Sequence, residues 1–154
     1  MKIKGIHEKE LLTFINKNYN FDVKKIKYLP LGEDCASYIG FTDKKIFISV
    51  YQTLKRVDPS NVKAIIKFLY KANKKYEIKN ILIPLKNKLN QSSSFYKKFP
   101  IVLFEFIPGK HPKKFSDKNM KELGKILSRL HSLNPNEFKG INNEFLNEKW
   151  QRKD

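Results

Sequence analysis

One apolar run with an abrupt end constrains the fold of this chain more than any other part of its sequence. Residues 99–109 read Phe-Pro-Ile-Val-Leu-Phe-Glu-Phe-Ile-Pro-Gly. Apolar and partly β-branched residues in near-unbroken succession are typical of a strand that is covered on both faces. Pro108 has no N–H to donate to a sheet, so the strand ends and the chain changes direction there. We therefore predict a buried strand followed by a hinge.

The segment after this hinge has the pattern of an amphipathic helix. Ser116 can cap free N–H groups at its start, and Asp117 suits the positive end of the helix dipole. Apolar residues then recur at helical spacing: Met120, Leu123, Ile126, Leu127, Leu130 and Leu133. This spacing predicts a helix over 117–133 with one buried face.

The residues before the apolar run alternate between helical and strand patterns. Leu11, Leu12 and Ile15 predict a short helix over 8–18, and a second helix, capped by Ser60, is predicted over 60–76. Residues with a period close to two predict strands. The predicted strands lie at 23–28, 36–41, 46–51, 81–85 and 99–107, with 87–94 as a polar loop.

Composition limits the classes of protein that this chain can belong to. Its 154 residues suffice for one core, and the single cysteine, Cys35, excludes an intramolecular disulfide. No apolar run reaches the roughly 20 residues of a membrane span, and no signal peptide is visible, so we expect a cytoplasmic protein without membrane contacts. The net charge of +17 comes from lysines along the whole chain. Dispersed lysines favour a solvated surface over a dedicated nucleic-acid site, which stays an alternative.

Four segments resemble one family of enzymes. Leu29-Pro-Leu-Gly-Glu-Asp-Cys-Ala-Ser-Tyr-Ile39 is similar to the turn that covers a nucleotide, 80–85 to the fourth strand, and 104–109 to the adenine hinge of the protein-kinase-like fold. Residues 122–133 resemble the helix that opens the large lobe of aminoglycoside phosphotransferases and of their choline- and homoserine-kinase-like relatives. Within this family the spectinomycin phosphotransferase type is the most similar.

The resemblance implies a fold class and a domain organisation. The expected class is α+β: a kinase-like N-lobe with a five-stranded antiparallel sheet, a crossing helix, a hinge and the first helix of the C-lobe. Residues 1–107 would form the N-lobe, 108–133 the hinge and joining helix, and 134–154 a truncated piece of the C-lobe.

The resemblance also implies a site for ATP. Gly32 would let the covering turn approach the phosphates, and backbone amides near Asp34 would donate to them. The Glu105 carbonyl and the Ile107 N–H would bind adenine, between apolar walls that include Phe47. The full set of implied cofactor-binding residues is Gly32, Asp34, Cys35, Ala36, Ser37, Ile39, Phe47, Ser49, Phe104, Glu105, Phe106 and Ile107. An ordinary hairpin turn and an ordinary core strand are the alternatives for these segments.

Two features depart from the family pattern. Ser49 occupies the position of the lysine that holds the α- and β-phosphates, and a hydroxyl does not supply that charge, so adding a lysine at Ser49 should tighten ATP binding. The helix over 60–76 contains no Asp or Glu to pair with such a lysine. Lys45 or a lysine of this helix reaching the phosphates from another position is the alternative. We expect His131 to be a buried packing residue rather than a catalytic one, and no zinc site is expected.

The residues that catalyse phosphoryl transfer in this family do not follow His131. These residues are an Asp in a His-Gly-Asp loop, an Asn downstream of that loop and a second Asp that holds Mg²⁺. Residues 134–154 contain no His-Gly-Asp loop, so none of their Asn or Asp residues matches this pattern. We therefore expect no catalytic or metal-binding residue in this chain, weak ATP binding, and Mg²⁺ only together with the missing lobe. The chain would be a fragment, a truncated gene product or a split-kinase subunit, and its partner a second chain that carries the C-lobe or another copy of itself. A non-catalytic, pseudokinase-like interaction module is the alternative.

Overall fold

The computed structural model describes residues 3–30, 35–52, 59–79, 81–109 and 114–134. The elements follow the predicted alternation of helices and strands. In chain order they are α1 (Glu8–Asn18), β1 (Lys25–Leu29), β2 (Cys35–Phe41), β3 (Lys45–Tyr51), α2 (Pro59–Lys74), β4 (Ser94–Tyr96), β5 (Phe99–Glu105) and α3 (Asp117–His131).

The five strands form one antiparallel sheet in the order β1-β2-β3-β5-β4. The sheet and its flanking helices confirm the predicted α+β class. Hairpins join β1 to β2 and β2 to β3, whereas β3 reaches β5 only after the chain has passed through α2 and β4. The long strand at 99–107 is confirmed, with its ordered pairing ending at Glu105.

One face of the sheet packs against α1. Leu11 and Ile15 are fully buried against a core that includes Tyr38, Ile48 and Leu103. The helical spacing of the two α1 residues gives the helix one apolar side, and burying that side stabilises the fold by roughly 25 cal/mol for each Å² of apolar surface removed from water. This is the main hydrophobic core of the described chain.

The opposite face of the sheet packs against α2. Val62 and Ile66 contact Val102 and Phe104, and α2 starts at Pro59, one residue ahead of the predicted cap Ser60. Proline suits the first position of a helix because the N–H that it lacks would have no helical partner there. The sheet is therefore covered by a different helix on each face.

The predicted fourth strand was placed in the wrong segment. Residues 81–85 form only one isolated bridge, between Pro84 and Phe104, and the strand beside β5 is instead Ser94–Tyr96. Pro84 cannot donate to a ladder, which limits pairing in the first segment. The start of β4 was predicted as loop, but the Asn87 side-chain amide donates to the Ser94 hydroxyl at 3.0 Å and ties the two segments together.

The expectation that α3 buries one face is wrong for the described chain. Ser116 caps the helix as predicted, accepting a hydrogen bond from the Asn119 N–H at 3.2 Å. Three of the apolar side chains are nevertheless open to solvent, with Met120, Leu123 and Leu127 53%, 41% and 42% exposed, whereas Ile126 and Leu130 are half-buried. Only the end of the segment is covered, where Leu133 packs with Ala72 and Ile78. His131, predicted to be buried, is exposed.

A small polar cluster fastens α1 to the turn between β4 and β5. The Tyr96 hydroxyl donates to the Glu10 carboxylate at 2.7 Å, and the Lys97 ammonium lies 2.9 Å from the same oxygen. Lys97 also donates to the Gly5 carbonyl at 3.0 Å. The hydrogen bond from Tyr96, followed by that from Lys97, lowers the pKa of the Glu10 carboxyl.

None of the helices in the described ranges has the length and apolar character needed to cross a lipid bilayer.

Candidate nucleotide site

The register of the sheet arranges the predicted site residues in rows on the face toward α2. Paired residues of neighbouring antiparallel strands project to the same face, and alternate residues along a strand project to opposite faces. The row nearest the hinge contains Phe41 and Lys45, and the following rows are Ile39, Phe47 and Phe104, then Ser37, Ser49 and Val102, then Cys35 and Tyr51. Residues far apart in sequence thus form one continuous surface.

The row formed by Ile39, Phe47 and Phe104 contains the three predicted apolar walls. Ile39 pairs with Phe47, and Phe47 pairs with Phe104. Phe104 is 8% exposed and packs in the α2 cluster, whereas Ile39 and Phe47 are half-buried. A flat apolar ligand could cover the accessible parts of these two side chains, which makes this row suitable for one face of an aromatic ring.

The next row is polar and closed to solvent. Ser37 pairs with Ser49, each is 3% exposed, and Val102 beside them is 1% exposed. Val62 and Ile66 of α2 pack with Val102 on this face. Ser49, at the position where the family resemblance implies a phosphate-holding lysine, is therefore a buried hydroxyl on the face against which α2 packs.

The backbone hydrogen bonds around β5 determine which way its last peptide groups face. The Phe106 N–H donates to the Lys45 carbonyl at 3.3 Å, so the backbone groups of Phe106 face β3. Those of Leu103 face away, since its carbonyl accepts from the Leu85 N–H at 2.7 Å. In an antiparallel ladder the direction alternates from residue to residue. Glu105, the last residue of β5, therefore turns its carbonyl away from β3.

The covering turn is described only where β2 begins. Gly32 and Asp34 lie outside the described residues. Cys35 is half-buried on the α2 face, but the Ala36 side chain points the other way and is fully buried in the core beneath α1. Ala36 can therefore take part in a site only through its main chain. Cys35 and Ala36 pair with β3 but extend beyond the end of β1, so one of their two N–H groups points to the side where β1 has ended.

Most of the charged residues of α2 face solvent. The helix has no Asp or Glu, and its lysines Lys63, Lys67 and Lys74 are exposed, whereas Lys71 is half-buried. The side of the helix that meets the sheet is apolar. Among the described residues no cluster of His, Cys, Asp or Glu could hold a metal ion.

Lys45, one of the lysines considered above as able to reach the phosphates, also lies on this surface. The Lys45 ammonium lies 5.7 Å from the centre of the Phe41 ring and 5.6 Å from that of Phe106, so two aromatic rings hold it at the hinge end of the rows. Counting two residues back from Phe47 along a strand places Lys45 on this face.

Two surface depressions, of about 630 and 620 Å³, lie away from these rows, along α3 and beside the start of α1.

A sheet with this strand order, a helix over one face and an extended hinge after β5 define the N-terminal lobe of the protein-kinase-like fold. The comparisons with known proteins agree with this class. No protein-family model matches the sequence, and no curated protein matches it. Solved structures do match, and all of those described below are aminoglycoside phosphotransferase-like kinases.

The structural matches cover most of this chain and less than half of each kinase. Spectinomycin phosphotransferase APH(9)-Ia, in complex with ADP and spectinomycin, superposes with a TM-score of 0.66 at 22% identity, over 86% of this chain and 40% of the enzyme. A microcompartment-associated aminopropanol kinase gives 0.61 at 14% identity, over 80% and 40%. An amicoumacin kinase with bound AMP-PNP and Ca²⁺ gives 0.56 at 12% identity, over 74% and 34%.

These likenesses confirm the predicted fold. The chain has the fold of the N-terminal part of these kinases and spans about 40% of the length of the first of them.

Proposed function

We propose that this chain is the nucleotide-binding lobe of a small-molecule kinase that transfers phosphoryl groups from ATP to a hydroxyl. The observation that supports this most is the combination of two features at one place. The half-open row of Ile39 and Phe47 offers an apolar face, and the hinge follows directly from β5, the strand that contributes Phe104 to this row. In the proposal, the Glu105 carbonyl and the Ile107 N–H of this hinge are the acceptor and the donor. Adenine has an apolar face and, on one edge, an amino donor next to a ring acceptor.

The solved kinases support the same proposal from their bound ligands. Spectinomycin phosphotransferase has been captured with ADP and also with AMP, and the amicoumacin kinase with AMP-PNP. In the proposal, Cys35, Ser37 and Ser49 lie toward the phosphate end, Phe104 and Phe106 flank the hinge, and Gly32 and Asp34 belong to the covering turn. In the proposal, the acceptor hydroxyl compound and Mg²⁺ bind the remaining lobe, and the chain alone binds nucleotide without transferring its phosphoryl group, because residues 134–154 contain no His-Gly-Asp loop.

Calorimetric titration of the full chain with adenosine and with ATP and Mg²⁺ tests nucleotide binding. We expect saturable one-site binding that Phe47→Ala weakens, because this substitution removes an apolar wall. Phe95→Ala is the matched control, since Phe95 is an exposed phenylalanine on the edge strand β4. Heat signals that never saturate, or an equal loss in both variants, would contradict the proposal.

A second candidate function is a non-catalytic interaction module or a subunit of a split kinase. The exposed apolar face of α3 favours it, with Met120, Leu123 and Leu127 between 41% and 53% exposed on one side of the helix. Such a stripe costs free energy in water unless another surface covers it. The cover would be a second chain that carries the remaining lobe, or another copy of this chain.

Light scattering coupled to size-exclusion chromatography tests the self-association version of this candidate. We expect a mass above that of one chain and a return to the monomer in Leu123→Glu, which places a charge in the stripe. Ser128→Glu, on an exposed part of the same helix, is the control and should leave the mass unchanged. A monomer at every concentration would speak against self-association.

A further inference from the structure

We infer that this site recognises the base of an adenine nucleotide and discriminates little between adenosine, AMP, ADP and ATP. The inference rests on the proposed function, because it concerns what the same surface does with the phosphates. It follows from a change in accessibility between two neighbouring rows of the sheet.

The row that would face the base is open, and the row that follows it is closed. Ile39 and Phe47 are half-buried, and Ile107 at the hinge is 66% exposed. Two residues further along the strands, Ser37 and Ser49 are each 3% exposed. Consecutive residues on one face of a strand are about 6.6 Å apart, so the accessible surface ends within one row of the base walls. A ligand on this surface therefore contacts the apolar side chains of Ile39 and Phe47, which can pack against a flat ring.

The closed row also lacks positive charge. Its members in β2, β3 and β5 are two serines and a valine, and Val62 and Ile66 of α2 pack on this face. Of the α2 lysines, Lys63, Lys67 and Lys74 are exposed and Lys71 is half-buried. Lys45 and the exposed Lys25 and Lys27 of β1 share this face of the sheet, but the register places them in the two rows nearer the hinge. Within the described residues, no cation projects from the row where a phosphate chain would continue from the base.

Charge is what makes phosphates bind tightly. A polyphosphate is strongly hydrated, and a protein compensates the loss of that hydration with cations and charge-assisted hydrogen bonds. Where neither is provided, the phosphates stay in water and add little to the affinity. The general attraction of a chain with a net charge of +17 for anions acts on all phosphates alike and is screened by salt.

The test is a series of titrations of the full chain with adenosine, AMP, ADP and ATP, with and without Mg²⁺, at about 0.3 M salt to screen the general attraction. We expect four dissociation constants within about threefold of one another. Inorganic triphosphate, the control for charge alone, should not compete with adenosine. A preference for ATP over adenosine of more than about tenfold that survives the salt would overturn the inference while the proposed function stands. Failure of all four ligands to bind would overturn the proposed function itself.

Two substitutions test which row of the sheet contacts the base and which lies toward the phosphates. Phe47→Ala should weaken all four ligands by the same factor, because it acts on the base. Ser49→Lys places an ammonium at the closed row, and in a variant shown to be folded by circular dichroism we expect ATP to gain at least about fivefold over adenosine. Unequal weakening in Phe47→Ala, or an unchanged series in folded Ser49→Lys, would contradict the assignment of base and phosphates to these two rows.

Discussion

Two helices of this molecule have similar sequence patterns and opposite surroundings. α1 and α3 both carry apolar residues at helical spacing, yet Leu11 and Ile15 of α1 are fully buried while Met120 and Leu127 of α3 are 53% and 42% exposed. The difference lies in what the fold places opposite each helix. α1 lies over the sheet, whereas only the end of the α3 segment meets the α2 region. Periodicity indicates that a helix has an apolar side, but it does not indicate that the side is covered.

The largest effect that should separate the two helices is the loss of a leucine side chain. Leu11→Ala leaves a cavity in the main core and should lower the free energy of unfolding by about 3 kcal/mol. Leu127→Ala, the same change on α3, should alter it by less than about 0.5 kcal/mol, because the side chain is largely solvated. Urea denaturation followed by circular dichroism measures both. Equal losses would mean that the α3 face is covered in solution.

One glycine in the sheet and one in α3 extend the comparison between the buried and the exposed region. A Cβ at Gly40 of β2 would lie 2.8 Å from the Ile46 Cγ1 atom, so Gly40→Ala should destabilise the protein by about 2 kcal/mol through overpacking. A Cβ at Gly124 of α3 meets no atom within 4 Å, and alanine is the better helix former, so Gly124→Ala should stabilise by about 0.5 kcal/mol. The two substitutions should therefore shift the melting temperature in opposite directions. A shift of the same sign in both would break the comparison.

A buried tyrosine on the α1 face predicts loss of stability in alkali. Burial, and then the nearby Glu8 carboxylate, raises the pKa of Tyr38 to about 12. The folded protein keeps this proton while the unfolded chain, with a pKa near 10, releases it, so stability falls as the pH rises from about 10 to 12. Urea midpoints measured across this range should fall less steeply in Tyr38→Phe than in the parent protein. Identical slopes would show that Tyr38 does not titrate differently on unfolding.

The smallest expected difference concerns two ion pairs. Glu10 binds Lys97 and Tyr96 across the fold, whereas Glu122 binds Lys125 at 3.0 Å within α3. Because the pKa of Glu10 is lowered in the folded state, its contribution is present above the usual carboxyl pKa of 4.5 and is lost as the pH falls through the lowered value. Glu10→Gln should therefore reduce stability at pH 7 more than Glu122→Gln, and the gap should close in acid. Thermal melts at several pH values measure this gap.

The strands flanking the hairpins could be predicted because their signals are local. β2 and β3 begin within one residue of the predicted positions, and the apolar run predicted β5. β4 could not be found in this way, since Ser94–Tyr96 has only three residues and depends on pairing with Phe99–Ile101. The apolar residues of 81–85 are a stronger local strand signal, but Pro84 limits the pairing there to one bridge.

The row of apolar side chains in the candidate site could be predicted from the sequence, whereas the burial of the neighbouring serine row could not. The periods of β2 and β3 suffice to place Ile39 and Phe47 on one face. Ser37 and Ser49 are closed to solvent on the face where Val62 and Ile66 pack, and the packing of α2 on this face is not encoded by any residue of the strands alone. The position of Lys45 between two rings likewise depends on β5 lying next to β3.

The contact between Glu10 and Tyr96 spans 86 positions of the chain. During synthesis α1 emerges from the ribosome long before Tyr96 and β5, so until then it can pack only on the strands β1 to β3. Contacts of such long range slow folding because the chain between them must be ordered first. Synthesis of this lobe should therefore pass through a period in which α1 is open to chaperones and proteases, and this period should end abruptly once Glu105 has left the exit tunnel.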